Sequence, residues 1–329
     1  MILGIETSCD DTCAAVLRAD GSIASNVISS QGIHDRYGGV VPEVASRQHL
    51  EFVNEVVDDA LRRAGAGLDD VELVAVTQGP GLVGALLVGL ATAKAIAAAR
   101  GLPLAPVDHL QGHVAANFVA PDPFEPPFVC LLASGGHTLL ARVEELDGFE
   151  VLGRTLDDAA GEAFDKGARL LGLPFPGGPH LERLARDGDP DAFAFPTARQ
   201  VEGLDCSFSG VKTALLYAVR DLGAQEAARR AADLAASYQA AIVRALVERC
   251  ERALDDTGLD RLALGGGVAA NGPLRAAAEA LGATLHVPER ALCTDNAAMI
   301  ASAARFVEPL APGAYLGLDA YASGTRALA

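Results

Sequence analysis

Residues 2–17, ILGIETSCDDTCAAVL, read as two short apolar strands joined by a small, polar, acidic turn, and the chain writes that plan twice. Residues 129–143, VCLLASGGHTLLARV, again set two apolar runs around a tight turn, here built on Gly-Gly. Further along each half come a strand, a glycine cluster and a helix: VELVAVTQGPGLVGALLVGLATAKAI at 71–96 and RLALGGGVAANGPLRAAAEAL at 261–281. A repeated order of elements predicts an α/β protein of two duplicated domains. The opening hairpins make their sheets mixed, because hairpins are antiparallel and strand-helix crossovers parallel.

The second half carries extra length near 155–215, covering DDAAGEAFDKGARLLGLPFPGGP and FPTARQVEGLDCSFSGVKT. Such insertions are usually functional, so substrate specificity is expected there. The Pro-rich APDPFEPPF at 120–128 marks a boundary. The expected division is an N-terminal domain over 1–120, completed by a C-terminal helix over 296–329, and a second domain over 121–295. Helical spacing of Val44, Leu50, Val53, Val57 and Leu61 predicts a helix from Val44 through Arg63, and a second long one runs from Asp233 through Leu254.

Half of the 329 residues are hydrophobic, yet only 5% are aromatic and there is no Trp, so the cores must be built from Ala, Val and Leu. The start, MILGIE, lacks the basic region of a signal peptide, and the longest uncharged apolar stretch, Gly81 to Ala93, is short and glycine-rich. A cytoplasmic protein without a membrane partner is expected. Six cysteines without a CxxC pair predict reduced, mostly buried thiols. A net charge of −17 argues against simple nucleic-acid binding; a polyanion needs a local basic patch or a basic partner. Only Lys94, Lys166 and Lys212 are lysines in an arginine-using chain. Each is a place where a compact ammonium fits and a forked guanidinium does not, or a chance survival.

Asp-His-Leu-Gln-Gly-His places His109 and His113 four residues apart. On a helix that spacing puts both imidazoles on one face, half of a metal site, unless the pair is only packed or solvated. The predicted helix places this pair just before the domain boundary, where a metal would face the junction. Asp295, just before a predicted helix over Ala297–Val307, is either its N-cap or a third ligand. The glycine turns at 79–81, 134–136 and 265–267 either pack tightly or offer amides to a phosphate; none forms a Walker loop or a GxGxxG fingerprint. Asp10 and Asp11 either act on a metal or a nucleophile or simply form the turn. Asp165 either binds hydroxyls or pairs with neighbouring Lys166.

Taken in order, LGIETSCDDT, VVPEVASRQH, GPGLVGALLVG, HLQGH, LLASGGHT, DDAAGEAFDK, PGGP, FSGVKT, GGGVAAN and CTDN closely resemble the bacterial tRNA threonylcarbamoyltransferase family, TsaD, from the first strand to about residue 307. The resemblance implies an actin/hexokinase/Hsp70-like fold, two ribonuclease-H-like domains around an interdomain cleft. It implies transfer of threonylcarbamoyl from threonylcarbamoyl-AMP to the N6 amine of adenosine 37 in tRNAs reading codons that begin with A. It puts the metal ligands on His109, His113 and Asp295, with one divalent ion per subunit, iron expected and zinc the alternative. It puts adenylate contacts on Leu132, Ala133, Ser134, Gly135, Gly136, Asp165, Gly178 and Asn271. Glu182 stands where many relatives have Asp, which leaves a carboxylate on a longer arm. The implied partners are tRNA, a related shorter noncatalytic subunit (TsaB-like) and a small ATPase (TsaE-like). Two rivals remain. A zincin metalloprotease needs Glu after the first His, where this chain has Leu110. A kinase or Hsp70-type ATPase needs Mg2+ on carboxylates and phosphates, not paired imidazoles.

Overall fold

The opening hairpin forms as its pattern predicts: β1 (Ile2–Glu6) pairs antiparallel with β2 (Asp11–Leu17), and Glu6 lies opposite Cys13. A third strand, β3 (Ile23–Ser30), extends it, and β4 (Leu73–Gly79) and β5 (Leu104–Asp108) add in parallel on the other side of β1. The sheet order is β3-β2-β1-β4-β5. The second sheet repeats it. There β6 (Phe128–Ala133) and β7 (Thr138–Glu145) are antiparallel, β8 (Gly148–Arg154) follows, and β9 (Arg261–Gly265) and β10 (Thr284–His286) are parallel to β6, in the order β8-β7-β6-β9-β10.

The computed structural model describes residues 1–322. The chain divides into two units, 1–126 with 145–148 and 288 onward, and 127–144 with 149–287. Three differences from the expected division matter. The first boundary falls after Pro126 rather than Ala120. The chain returns to the first unit at Pro288, so Asp295 belongs there and not to the second domain. The expected helix over 296–329 is a short α-helix at Ala297–Ala303, with single 3-10 turns after it; positions 323–329 of that helix lie outside the described residues.

The helices are α1 (Pro42–Ala64), α2 (Val83–Arg100), α3 (His109–Ala115), α4 (Ala160–Leu170), α5 (Gly177–Ala185), α6 (Ser209–Arg229), α7 (Ala231–Thr257), α8 (Gly272–Glu279), α9 (Arg290–Cys293) and α10 (Ala297–Ala303). In the first unit, α1 and α2 pack on each other, and Val53, Val57 and Leu90 meet Leu3, Ile5 and Val74 of the sheet in one buried cluster. Each such side chain contributes about 1.5–3 kcal/mol by leaving water. By length and composition α2 is apolar enough to cross a membrane. Lys94 follows the uncharged stretch, and its ammonium donates to the Leu316 and Leu318 carbonyls. The helix nonetheless buries Ala85, Leu86, Leu90 and Ala93 within the unit. All six cysteines are free, and only Cys9 is not fully buried.

Candidate active site

Helix α3 begins where Asp108 caps it, accepting from the amides of Leu110 (2.8 Å) and Gln111 (3.3 Å), and every residue of α3 is buried. Tyr321 holds that cap from behind, its hydroxyl donating to the other Asp108 oxygen at 2.6 Å. The cap sets the first histidine at the helix start and the second one turn on, with ring centroids 4.7 Å apart. Asp295 does not cap the next helix. Asn296 does, accepting from the Met299 amide at 3.0 Å. The Asp295 carboxylate instead faces the imidazoles, with Oδ1 3.3 Å from His113 Nε2 and 3.6 Å from His109 Nε2. A Cβ on Gly4 would fall 2.4 Å from the Ala297 carbonyl oxygen, so a bare glycine in β1 is what lets α10 lie close enough to deliver Asp295. All three residues come from the first unit. The triad is thus completed by the return of the chain at Pro288, a crossing that spacing could not reveal.

These residues fit a divalent cation. Their ligand atoms lie within 4.8 Å of one another. His113 is buried, and neither of its ring nitrogens has a hydrogen-bond partner; the contact of its Nε2 with Asp295 is within ion-pair distance but lacks hydrogen-bond geometry. Leaving a buried polar atom unsatisfied costs about 1–3 kcal/mol, which coordination would offset. Two imidazoles and one carboxylate suit zinc or iron and leave positions open.

Two neighbours went unnoticed in the sequence. Glu6, wholly buried at the end of β1, accepts from His109 Nδ1 (3.0 Å), from the Thr77 hydroxyl (2.5 Å) and from the Ser8 amide. Burial works against ionisation of both partners, but each one's charge overcomes it: Glu6 is held below the usual carboxylate range, and Glu6 with Asp295 pushes His109 up to about 9. His49, also fully buried, accepts from the Thr12 hydroxyl at 2.8 Å and donates to the Cys9 carbonyl at 3.0 Å. It pins both sides of the turn that carries Asp10 and Asp11. Both acids are half-buried. Burial, aided by the charges of Asp295, Asp10 and Glu6 and opposed by a hydrogen bond with Ser30, raises Asp11 to about 7.

The second unit gathers the remaining residues. Leu132 and Ala133 end β6 in the core, and Ser134 folds the turn by accepting from the His137 amide at 3.1 Å. Gly135 and Gly136 are exposed, and a Cβ on either would meet nothing within 4 Å, while the Gly135 nitrogen lies against Gly161, where an added Cβ would fall 2.8 Å from it. Asp165 pairs not with Lys166 but with backbone, accepting from the Gly177 amide at 2.7 Å and from Gly178; burial raises its carboxyl. Glu182 reaches Asn271, which donates to it at 3.2 Å and to Gln239 at 2.9 Å while capping α8. The longer arm therefore still arrives. Lys166 and Lys212 grip the two oxygens of one carboxylate, Asp158, at 2.8 and 2.6 Å. Asp157 beside it takes the Ser207 and Ser209 hydroxyls, each at 2.6 Å, so DDAAG ties α4 to the start of α6.

The sequence model of the family described as tRNA N6-adenosine threonylcarbamoyltransferase matches residues 22–302. Proteins of that name from Symbiobacterium thermophilum (53% identical, over 93% of this chain and 91% of that one) and Anaeromyxobacter dehalogenans (55%, over 92% of each) are similar along nearly the whole length. In fold the chain is similar to T. kodakarensis HypF, with a TM-score of 0.62 and 16% identity over 92% of this chain and 47% of that one. It is also similar to the ROK hexokinase from Thermus thermophilus, with a TM-score of 0.51 and 14% identity over 92% of this chain and 97% of that one. The fold is thus of the actin/hexokinase/Hsp70 type. The chain belongs to the tRNA N6-adenosine threonylcarbamoyltransferase family.

Proposed function

We propose that this chain transfers the threonylcarbamoyl group of threonylcarbamoyl-AMP to N6 of adenosine 37 in tRNAs reading codons that begin with A, releasing AMP in the cytoplasm. The new bond joins N6 to the carbamoyl carbon. The bond from that carbon to the phosphate oxygen breaks, and AMP leaves with the electron pair. The observation that carries this reading is the cluster of buried His109 and His113 with half-buried Asp295, in a family member that has Leu110 where a metalloprotease has its general base. A divalent cation held there, iron or zinc, would supply a Lewis acid for the carbamoyl carbonyl or the phosphate.

The chain's own groups do the rest. Asp11, raised to about 7, accepts the proton leaving N6 near neutral pH, and Asp10 lies beside it. The exposed turn at Gly135 and Gly136, where a Cβ would meet nothing within 4 Å, leaves room for the phosphate to approach the backbone closely. Asp165, Gly178, Glu182 and Asn271 bind the ribose. A cavity of about 520 Å³ begins at Glu182 and Gln239; Ala236, Ala240 and Val243 give it an apolar wall for a purine ring, and Arg186, Arg244, Glu248 and Glu251 also line it.

Leu50, Val83 and Leu87 are 69%, 42% and 44% exposed on α1 and α2. That apolar face supports docking of the shorter related subunit, with the small ATPase completing the complex; together they would offset the acidity that disfavours tRNA. The test is reconstitution with threonylcarbamoyl-AMP, partners and tRNA, followed by nucleoside analysis. Wild type is expected to yield threonylcarbamoyladenosine and folded His109→Ala none; equal product from both would refute the site.

A further inference from the structure

Glu6 lies on the far side of His109 from the ligand cluster and is not one of its members. Its three acceptor bonds come from His109, Thr77 and Ser8, and it has no exposure to solvent. An ionised carboxylate only accepts, so the hydrogen in the bond to His109 must sit on Nδ1. In a neutral imidazole the lone pair is then on Nε2, the nitrogen that faces Asp295 Oδ1 at 3.6 Å. The Thr77 and Ser8 bonds fix the carboxylate's own rotation. The ring orientation is therefore set from β1 and β4, not from α3.

We propose that Glu6 is a positioning residue that fixes the tautomer and tilt of His109 and raises its basicity toward a divalent cation. The inference rests on the metal reading above. Carboxylates that take the outer hydrogen of a ligating histidine typically strengthen metal binding about 10–100-fold. Ser8 Oγ, 3.3 Å from the same nitrogen, does not substitute for Glu6, since a neutral hydroxyl adds no comparable negative charge.

The test uses Zn2+ on the full chain. Chelator competition on wild type, Glu6→Gln and Glu6→Ala gives affinities, and melting of the metal-free proteins checks folding. Glu6→Gln keeps the shape and is expected to bind Zn2+ at least about 10-fold more weakly with its melting temperature retained. In parallel, 15N spectra of histidine-labelled, Zn2+-loaded wild type are expected to show His109 with Nδ1 protonated and Nε2 on the metal; this arm decides the matter if the variants fail to fold. Unchanged Zn2+ affinity in folded Glu6→Gln, or Nδ1 on the metal, overturns the role of Glu6 alone. No Zn2+ binding by wild type overturns the metal reading and this inference with it.

Discussion

In the first unit the turn after β1 meets the glycine turn after β4, where a Cβ on Gly81 would fall 2.7 Å from the Ser8 carbonyl oxygen. In the second, the turn after β6 meets the glycine turn after β9, where a Cβ on Gly266 would fall 2.3 Å from the Ala133 carbonyl oxygen. The same two turns touch at the same place in both sheets. What fills them differs. The first carries Glu6, Asp10 and Asp11, braced by His49 and set beside His109. The second carries Ser134, whose hydroxyl is used within the turn, and the exposed Gly135 and Gly136, which have no side chain. Duplication supplied two equivalent positions, and the turn residues differ in kind: ionisable groups in one, small residues with little side chain in the other.

That difference can be tested at either turn. The largest effect is expected from Asp11→Asn, which should lower single-turnover transfer about 10²–10⁴-fold and abolish any rise in wild-type rate through pH 7. Full activity in both Asp11→Asn and Asp10→Asn would remove the base from the account. The same variant tests the cost of burying the acid. Asp11 titrates near 7 in the fold against an ordinary 3.8, so the folded chain holds the proton more tightly and stability is lost as pH rises between those values. Urea unfolding should therefore show Asp11→Asn gaining on wild type from about pH 4 and levelling off above about pH 7.

A smaller effect, confined to the second unit, is expected for Asp165→Ala. It strands the Gly177 amide, which costs about 1–3 kcal/mol, and should weaken AMP binding about 10-fold or more while leaving Zn2+ affinity untouched. Smallest are Lys166→Arg and Lys212→Arg. Each keeps its charge but forces a fork onto one oxygen of Asp158, and a severalfold loss of transfer is expected in a steady-state assay. No change in either would show that lysine scarcity carries no information.

Much of this was legible in the sequence because it depends on local pattern. Alternating apolar runs around a turn gave the hairpins, and i, i+4 spacing gave the histidine pair. The stripe of α1 was misjudged by one residue: Leu50 is 69% exposed, while His49 beside it is fully buried. Hydrophobic periodicity does not count a histidine, although a buried imidazole with both nitrogens bonded packs like a core residue. Glu6 escaped notice because a lone acid at a strand end looks like a solvated turn. Its partners, Thr77 and His109, lie on other strands and helices. The division of Asp295 from the second domain depended on where the chain crosses back, a long-range choice that no local spacing encodes.

The claim that the first unit carries the chemistry and the second holds the adenylate is tested most directly in His109→Ala, by measuring AMP affinity and single-turnover transfer on the same folded preparation. The expected result is an AMP dissociation constant close to wild type with no threonylcarbamoyladenosine formed. Transfer at the wild-type rate, or loss of AMP binding together with transfer, would contradict it.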